Sequence, residues 1–314
     1  MLAVIFPGQG SQSLGMSKDF YDNFELVRQI FAEIKEKTKI DVENIIFNDP
    51  KNQLNITEFS QISIYSASIS MFSVINSIYG SKFLNNIAFV AGHSLGEYTA
   101  LAAAKVINIL ECAELLKFRG IYMQNSYPEN ESGMLAVIGC DIKDIESIIT
   151  ENEDNNIFEI ANDNAPGQVV ISLKKNNFDK ASSLLVSKGA KRVIPLNVSA
   201  AFHSSYMKQA EDKMIKKLDE TIFNNAIYPI VSNYSANPSK DSKDIKNNVK
   251  KQILNRVRWV ETIKFFEANN VSTIVEIGPN KVLNNLNKRI SSNLKLINVS
   301  SVADLESIKN VIWF

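Results

Sequence analysis

This sequence has few histidines, few cysteines and no net charge, and these features limit the functions that the protein can have. The 314 residues include two cysteines, Cys112 and Cys140, which do not form a C-x-x-C pair. A disulfide framework and a zinc site are therefore not expected. The 34 basic residues balance the 34 acidic ones. Without a global field of either sign, we expect no nucleic-acid partner and no binding to an acidic membrane surface.

Long apolar runs are also missing. The N-terminal apolar segment Leu2–Phe6 is too short for the core of a signal peptide, and no basic residues precede it. No apolar run approaches the roughly 20 residues that a membrane span needs. With 45% hydrophobic residues, the chain can still bury a sizeable core. These features predict a globular, cytoplasmic protein without a metal site.

The most specific pattern lies in residues 87–104. The apolar run at 87–91 predicts a buried strand, and the Ala-rich segment at 97–104 predicts a helix packed closely against it. Between them stands Gly92-His93-Ser94-Leu95-Gly96, which predicts a sharp strand-to-helix turn with an exposed serine hydroxyl. The first free N–H groups of the helix point toward that hydroxyl, where an oxyanion would form. Ser94 is thus a candidate nucleophile, and the alternative is a merely structural turn.

The shortage of histidine narrows the choice of a base, because the chain contains only His93 and His203. A serine nucleophile needs a nearby group that takes its proton. Neighbouring side chains on a strand-to-turn segment point to opposite sides, so His93 is poorly placed to act on Ser94. By elimination His203 is the candidate base, and Phe202 beside it is placed to shape an acyl pocket. The alternative is that His203 is a helix N-terminal residue bonded to the backbone.

Two further segments have one functional and one ordinary interpretation. In the glycine-rich loop after the first strand, Gly8 and Gly10 allow Gln9 to present its backbone N–H or its side chain to a ligand, and the alternative is an ordinary turn. Asn108 is predicted to cap a helix that runs to about Ser126. On that helix Arg119 shares a face with apolar residues. Its guanidinium either reaches solvent past the core or binds a substrate carboxylate.

The order of predicted elements indicates an α/β protein with two domains. Helical periodicity covers residues 18–39 and 60–78, and strands alternate with helices after residue 228, which predicts a parallel sheet with helices on both faces. Residues 127–198 instead read βαββαβ, the order of a ferredoxin-like unit, with a turn at 162–167. We therefore expect an α/β-hydrolase-like large domain formed by residues 1–126 and 199–314. The small domain at 127–198 would be inserted into it as one wall of a cleft.

Taken together, these motifs resemble those of the malonyl-CoA:acyl carrier protein transacylase family of fatty acid synthesis, over nearly the full chain. The resemblance rests on the loop at residues 6–12, the Gly-His-Ser-Leu-Gly-Glu segment at 92–97, Phe-Arg-Gly at 118–120, Ala-Phe-His-Ser at 201–204 and the turn at 276–283. The segment at 201–204 has the form associated with malonyl rather than methylmalonyl groups. The family transfers a malonyl group from malonyl-CoA to the phosphopantetheine thiol of acyl carrier protein, through a malonyl-serine and without a resident cofactor.

The resemblance also implies a role for each matching residue. Ser94 would take the malonyl group, His203 would act as base and then as acid, and Arg119 would hold the free carboxylate. The oxyanion would be bound by the backbone N–H groups of Gln9 and Leu95. In this family a backbone carbonyl orients the histidine in place of an acid, and by position that carbonyl belongs to Gln252.

The sequence departs from the family pattern at Asn280, Arg256 and Leu173, which places local loop shape and carrier docking in question. The docking candidates are basic residues near the cleft segments: Lys188, Lys191, Arg192, Lys281, Lys288 and Arg289. Two other functions remain open. A serine hydrolase places an acid and a late histidine after the serine, whereas here 111 residues follow His203. A silent binding module would hold an acyl thioester without reacting with it.

Overall fold

A computed structural model describes residues 1–151 and 157–312. Within these ranges the strands form a six-stranded and a five-stranded sheet. The strands are β1 (Leu2–Phe6), β2 (Ile87–Gly92), β3 (Ser132–Ile138), β4 (Phe158–Ala165), β5 (Gln168–Lys174), β6 (Arg192–Pro195), β7 (Ile230–Val231), β8 (Pro238–Ser239), β9 (Val257–Arg258), β10 (Thr273–Ile277) and β11 (Lys295–Val299).

The α-helices of the described residues cover the sheets and supply most of the remaining core. They are α1 (Lys18–Asn23), α2 (Glu25–Thr38), α3 (Val42–Phe47), α4 (Thr57–Tyr79), α5 (Ser81–Leu84), α6 (Leu95–Ala103), α7 (Ile109–Gln124), α8 (Ile142–Glu151), α9 (Phe178–Ser187), α10 (Lys208–Glu220), α11 (Ser242–Gln252), α12 (Trp259–Ala268), α13 (Val282–Ile290) and α14 (Leu305–Ile312).

The six-stranded sheet has the order β11-β10-β1-β2-β7-β8. All neighbours are parallel except β8, which is antiparallel to β7, so the predicted parallel sheet is in fact mixed. All five residues of β1 are buried, as expected for an apolar strand inside a parallel sheet. Phe6 at the end of β1 pairs with Gly92 at the end of β2. The loops that follow these two strands therefore leave the same edge of the sheet side by side.

The five-stranded sheet has the order β6-β3-β5-β4-β9. Its first four strands come from the segment predicted as βαββαβ, and they pair antiparallel. The fifth strand, β9, pairs parallel with β4 and lies outside the predicted small domain. The sheet therefore extends across the predicted domain boundary at residue 198.

The turn predicted at residues 162–167 is too long. Strand β4 continues through Ala165, and only Pro166 and Gly167 form the turn. Asn162 and Asp163 pair with β5 on one side and with β9 on the other. The polar residues that indicated a turn therefore belong to a strand, and their backbone groups are paired with the neighbouring strands.

One helical prediction and one expectation about apolar runs need correction in detail. The single helix predicted over residues 18–39 is divided into α1 and α2, because Phe24 between them is extended, with φ −127° and ψ 118°. Of the described residues, only α4 is long and apolar enough to cross a membrane by length and composition. It lies buried in the core, and serines interrupt its apolar residues, so it contains no long continuous apolar run.

The predicted start of α7 is confirmed, since Asn108 Oδ1 accepts a hydrogen bond from Glu111 N at 2.9 Å.

Candidate active site

Ser94 occupies the sharp turn between β2 and α6. Its backbone has φ 53° and ψ −110°, a left-handed conformation that costs a non-glycine residue about 1–3 kcal/mol. A Cβ atom on Gly92 would lie 2.0 Å from the backbone of Gly96, and one on Gly96 would lie 2.3 Å from Phe6 O. The two glycines are therefore required by close backbone approach, while the serine itself adopts the unusual angle.

Asn233, in the loop after β7, fixes this turn. Its Nδ2 donates to Gly92 O at 2.7 Å, and its Oδ1 accepts from Ser94 N at 2.7 Å. One buried amide thus satisfies a carbonyl and an N–H group on either side of the turn. Strand β7 lies next to β2 in the sheet, which brings Asn233 to the serine from 139 positions away. No pattern in the sequence indicated a role for this residue.

The structure brings Ser94 and His203 together, with 2.8 Å between Ser94 Oγ and His203 Nε2. His203 Nδ1 lies 3.1 Å from Gln252 O, the predicted carbonyl, and 3.2 Å from Asn255 O, which was not predicted. A carbonyl only accepts, so Nδ1 carries the ring proton and Nε2 is left to accept from the serine hydroxyl. This tautomer is the one that a general base requires.

The protonation state of His203 also suits a base. The ring is buried, and burial together with the positive charge of Arg119 lowers the pKa of His203 to about 3. Its imidazole is therefore neutral at physiological pH. The other histidine is paired elsewhere, because His93 Nε2 lies 2.8 Å from Asn164 Oδ1. This agrees with the expectation that His93 does not serve Ser94.

Arg119 is 1% exposed, so the interpretation in which its guanidinium reaches solvent is wrong. Its Nη1 donates to Gln61 Oε1 at 2.6 Å, and its Nη2 donates to Gln252 Oε1 at 3.0 Å and to Ser94 Oγ at 3.1 Å. All three acceptors are neutral, and within the described residues no carboxylate forms an ion pair with this arginine. Buried cations normally have an anionic partner, so the site is suited to an anion from outside the chain.

A cavity of about 290 Å³ joins these groups. The backbone N–H groups of Gln9 and Leu95 have no partner among the described residues, and both residues line the cavity beside Ser94. Phe202 lies in its wall, as predicted. A larger cavity of about 610 Å³ lies against α4 and contains neither Ser94 nor His203, so chemistry rather than volume identifies the site. The other lining residues are Gly10, Gln12, Gln61, His93, Arg119, Met123, Met134, Asn162, Asn164, Val170, Leu196, Asn197, Val198 and His203.

The three departures from the family pattern each have a local explanation. Asn280 has φ 60°, a left-handed angle that asparagine tolerates, and its Nδ2 donates to Ser11 O at 2.6 Å. Arg256 forms ion pairs with Glu146 on α8 and Glu261 on α12. Leu173 is buried within β5. None of the three is among the residues that line the cavity.

Two of the predicted docking cations already have partners within the chain. Lys188 forms an ion pair with Glu151 at 2.6 Å, and Arg289 donates to Gln168 Oε1 at 2.6 Å. Lys281 is exposed and follows Asn280, whose side chain holds the loop that carries Gln9. Of the six candidates, Lys281 is therefore the one whose neighbour, Asn280, bonds to the loop that lines the cavity.

Known proteins match this chain over almost its whole length. The model of the acyl transferase domain family matches residues 4–307. This chain belongs to that family. A malonyl CoA-acyl carrier protein transacylase of Bacillus subtilis (strain 168) is 36% identical over 306 residues, which cover 97% of this chain and 95% of that protein. The resemblance identified from the sequence motifs is therefore confirmed.

Solved structures extend the comparison to the whole acyl transferase fold. The acyl-carrier-protein-S-malonyltransferase of Bartonella henselae matches with a TM-score of 0.94 and 36% identity, covering 100% of this chain and 99% of that one. A malonyl-transacylase in complex with its type II PKS acyl-carrier protein matches with a TM-score of 0.93 and 35% identity, covering 98% and 99%. These full-length matches confirm the α/β class predicted from the sequence.

Proposed function

We propose that this acyl transferase moves the malonyl group of malonyl-CoA to the phosphopantetheine thiol of an acyl carrier protein. The observation that carries this proposal is the convergence of two groups on one hydroxyl. Ser94 Oγ lies 2.8 Å from His203 Nε2 and 3.1 Å from Arg119 Nη2. A nucleophile, a neutral base and a buried cation that forms no ion pair within the described residues are what a negatively charged acyl thioester requires. The names of the similar proteins support the same substrate and acceptor.

In the first half-reaction, Ser94 Oγ attacks the thioester carbonyl while its proton passes to His203 Nε2. The new oxyanion lies against the N–H groups of Gln9 and Leu95, an interaction of about 3–4 kcal/mol per donor where such donors have been removed. The C–S bond then breaks, His203 returns the proton to the departing CoA sulfur, and malonyl-Ser94 remains. In the second half-reaction the carrier thiol loses its proton to His203 and attacks the ester, and Ser94 leaves with that proton. The kinetics are therefore ping-pong.

Arg119 would select the acyl group. Gln61 and Gln252 accept hydrogen bonds from its guanidinium fork, so the fork cannot rotate freely. The residue also lines the cavity. A carboxylate on the malonyl group would accept charge-assisted hydrogen bonds from it. With its carboxylate held, the ester has one orientation in the cavity. Apolar side chains such as Met123, Met134 and Phe202 limit the access of water.

We also propose the finer architecture expected from the sequence. Residues 1–126 and 199–314 would form an α/β-hydrolase-like large domain, and residues 127–198 a ferredoxin-like small domain. The order β6-β3-β5-β4 and the element sequence β3-α8-β4-β5-α9-β6 support this interpretation. Strand β9 would then be a contribution of the large domain to the small sheet. The protein would work in the cytoplasm without a resident cofactor, a nucleic acid or a membrane, with a CoA thioester as substrate.

The main alternative, a serine hydrolase, is less consistent with the site. Two backbone carbonyls face His203 Nδ1, where a hydrolase triad has a carboxylate. The decisive experiment mixes the protein with malonyl-CoA and a phosphopantetheine-bearing carrier protein, then measures malonyl-carrier and free malonate. We expect malonyl-carrier to be the main product. Release of malonate as the main product would indicate a hydrolase, and no turnover of either kind would indicate a binding module.

A further inference from the structure

Glu97 is a buried carboxylate that the reaction itself does not use. It lies in the first turn of α6, three residues after Ser94, and is 1% exposed. Burial raises its pKa to about 7. Within the described residues no cation forms an ion pair with it. A carboxyl group in such a place needs hydrogen-bond partners, and Glu97 Oε2 has two: Gln252 Nε2 at 2.5 Å and Asn233 N at 3.4 Å.

The bond from Gln252 to Glu97 is one of three contacts that set which way the Gln252 amide faces. Gln252 Nε2 also donates to Ser94 O at 2.9 Å, and Gln252 Oε1 accepts from Arg119 Nη2 at 3.0 Å. The carbonyl of Ser94 can only accept, and the carboxyl of Glu97 offers an acceptor oxygen on the same side. The NH₂ end of the amide must therefore face these two oxygens, and the oxygen end must face the guanidinium. Reversal of the amide would place its two N–H donors against a cation.

The bond to Asn233 reaches the other side of the site. The backbone N–H of Asn233 points to Glu97, while its side chain holds Ser94 N and Gly92 O. Glu97 therefore forms hydrogen bonds with both residues whose amides hold the reacting groups. Its charge also acts on the Arg119 guanidinium through space, without an ion pair between them. Of these two contacts, the one to Gln252 is the shorter.

We propose that Glu97 is a positioning residue that sets the preference for malonyl over uncharged acyl groups, by holding the Gln252 amide with its oxygen toward Arg119. This inference rests on the proposed function. Without an acceptor at position 97, the NH₂ end of the amide keeps only its bond to Ser94 O. The amide is then held less firmly, and the glutamine oxygen that faces Arg119 is less well placed to fix the guanidinium. A malonyl carboxylate then meets a misplaced guanidinium. An acetyl group has no carboxylate and is affected less.

The test compares kcat/KM for malonyl-CoA and acetyl-CoA across three variants. Glu97→Met keeps a side chain of similar length but has no oxygen acceptor. Glu97→Gln keeps one amide oxygen that can accept from both partners. Gln252→Leu removes the amide and leaves the backbone carbonyl that orients His203. The matched control is Glu276→Met, because Glu276 is also a buried carboxylate, and it accepts only from backbone N–H groups at the start of α13.

We expect Glu97→Met to lower the malonyl-to-acetyl ratio of kcat/KM by about tenfold or more, the size expected for one lost hydrogen bond to a charged group. Glu97→Gln should keep the ratio within about threefold. Glu276→Met should lower thermal stability without changing the ratio. In the Gln252→Leu background, Glu97→Met should change the ratio no further, because both variants remove the same constraint.

Equal losses for the two acyl groups in Glu97→Met would overturn the inference, as would additive effects in the double variant or a Glu97→Gln ratio as low as that of Glu97→Met. If Glu97→Met does not fold, the Gln252→Leu variant tests the inference instead. An unchanged malonyl-to-acetyl ratio of kcat/KM in Gln252→Leu would also overturn it. The wild-type protein separates this inference from the proposed function. Failure of wild type to malonylate the carrier refutes the function itself, whereas normal transfer with unchanged selectivity in the variants refutes only the role of Glu97.

Discussion

Replacement of Arg119 by alanine is the substitution that most sharply tests substrate selection. The change removes a buried guanidinium that donates to Gln61, Gln252 and Ser94. A bound malonyl carboxylate would lose two charge-assisted hydrogen bonds, each of about 1.5–3 kcal/mol. Together the two bonds amount to about 3–6 kcal/mol, which corresponds to a loss of roughly 10²-fold to 10⁴-fold in kcat/KM. Acetyl transfer should persist or improve, since an acetyl group makes no such bonds.

The assay is acyl-serine formation under single-turnover conditions with malonyl-CoA and, in parallel, acetyl-CoA. Arg119→Lys keeps the charge but not the planar fork, so its malonyl rate should lie between those of wild type and Arg119→Ala. Arg258→Ala is the matched control, because this half-buried arginine donates to Tyr234 O and Glu261 away from the hydroxyl. It should leave the malonyl-to-acetyl ratio unchanged. Equal losses of malonyl and acetyl transfer in a folded Arg119→Ala protein would refute the assigned role.

Three further predictions concern pH and the carrier. Because the pKa of His203 is lowered to about 3, kcat/KM should not fall near pH 6.5 when pH is lowered from 8 to 5, and a half-loss at 6.5 in a pH–rate profile would contradict this. Because burial raises the pKa of Glu97 from 4.5 to about 7, the folded state keeps a proton that the unfolded chain loses, so stability should decline by up to about 3 kcal/mol as pH rises between those values. Glu97→Gln should remove that part of the slope in urea titrations, and an unchanged slope would count against it. Lys281→Glu should raise the carrier KM several-fold at low salt and less at high salt, whereas Lys295→Glu, at the opposite end of the parallel strands, should not.

The parts of the fold that could be predicted depend on local patterns. Strand β10 and helix α13 belong to the alternation of strands and helices predicted after residue 228, and the serine turn follows from two glycines at fixed spacing. The pairing of Ser94 with His203 was predictable for a different reason, because only two histidines were available. Such inferences need no knowledge of which distant segments meet.

The missed residues belong to contacts between distant segments. Gln61, Asn233 and the side chain of Gln252 reach the site from helices and loops far apart in the sequence. One signal was present, since Gln61 is a polar residue inside the buried helix α4. The excessive length of the turn predicted at residues 162–167 has a related cause. Polar residues in β4 line the cavity, and their composition is that of a turn.

The choice of Arg119 as a ligand also depended on burial that the sequence does not reveal. On α7 its spacing among apolar residues fits equally an arginine that extends past the core to solvent. Only the three-dimensional contacts show that its head is enclosed by Gln61, Gln252 and Ser94. The resemblance to known transferases favours an enclosed guanidinium, and the contacts show that it is enclosed, while its role as a ligand stays a prediction.

Acylation of Ser94 can be measured by intact-protein mass spectrometry after brief exposure to malonyl-CoA, followed by peptide mapping. We expect a mass increase of one malonyl group, located on Ser94 and lost when a phosphopantetheine-bearing carrier protein is added. Ser94→Ala should show no increase, and His203→Ala should acquire the group far more slowly. A stable adduct on another residue, or carrier malonylation that proceeds without any adduct on Ser94, would contradict this expectation.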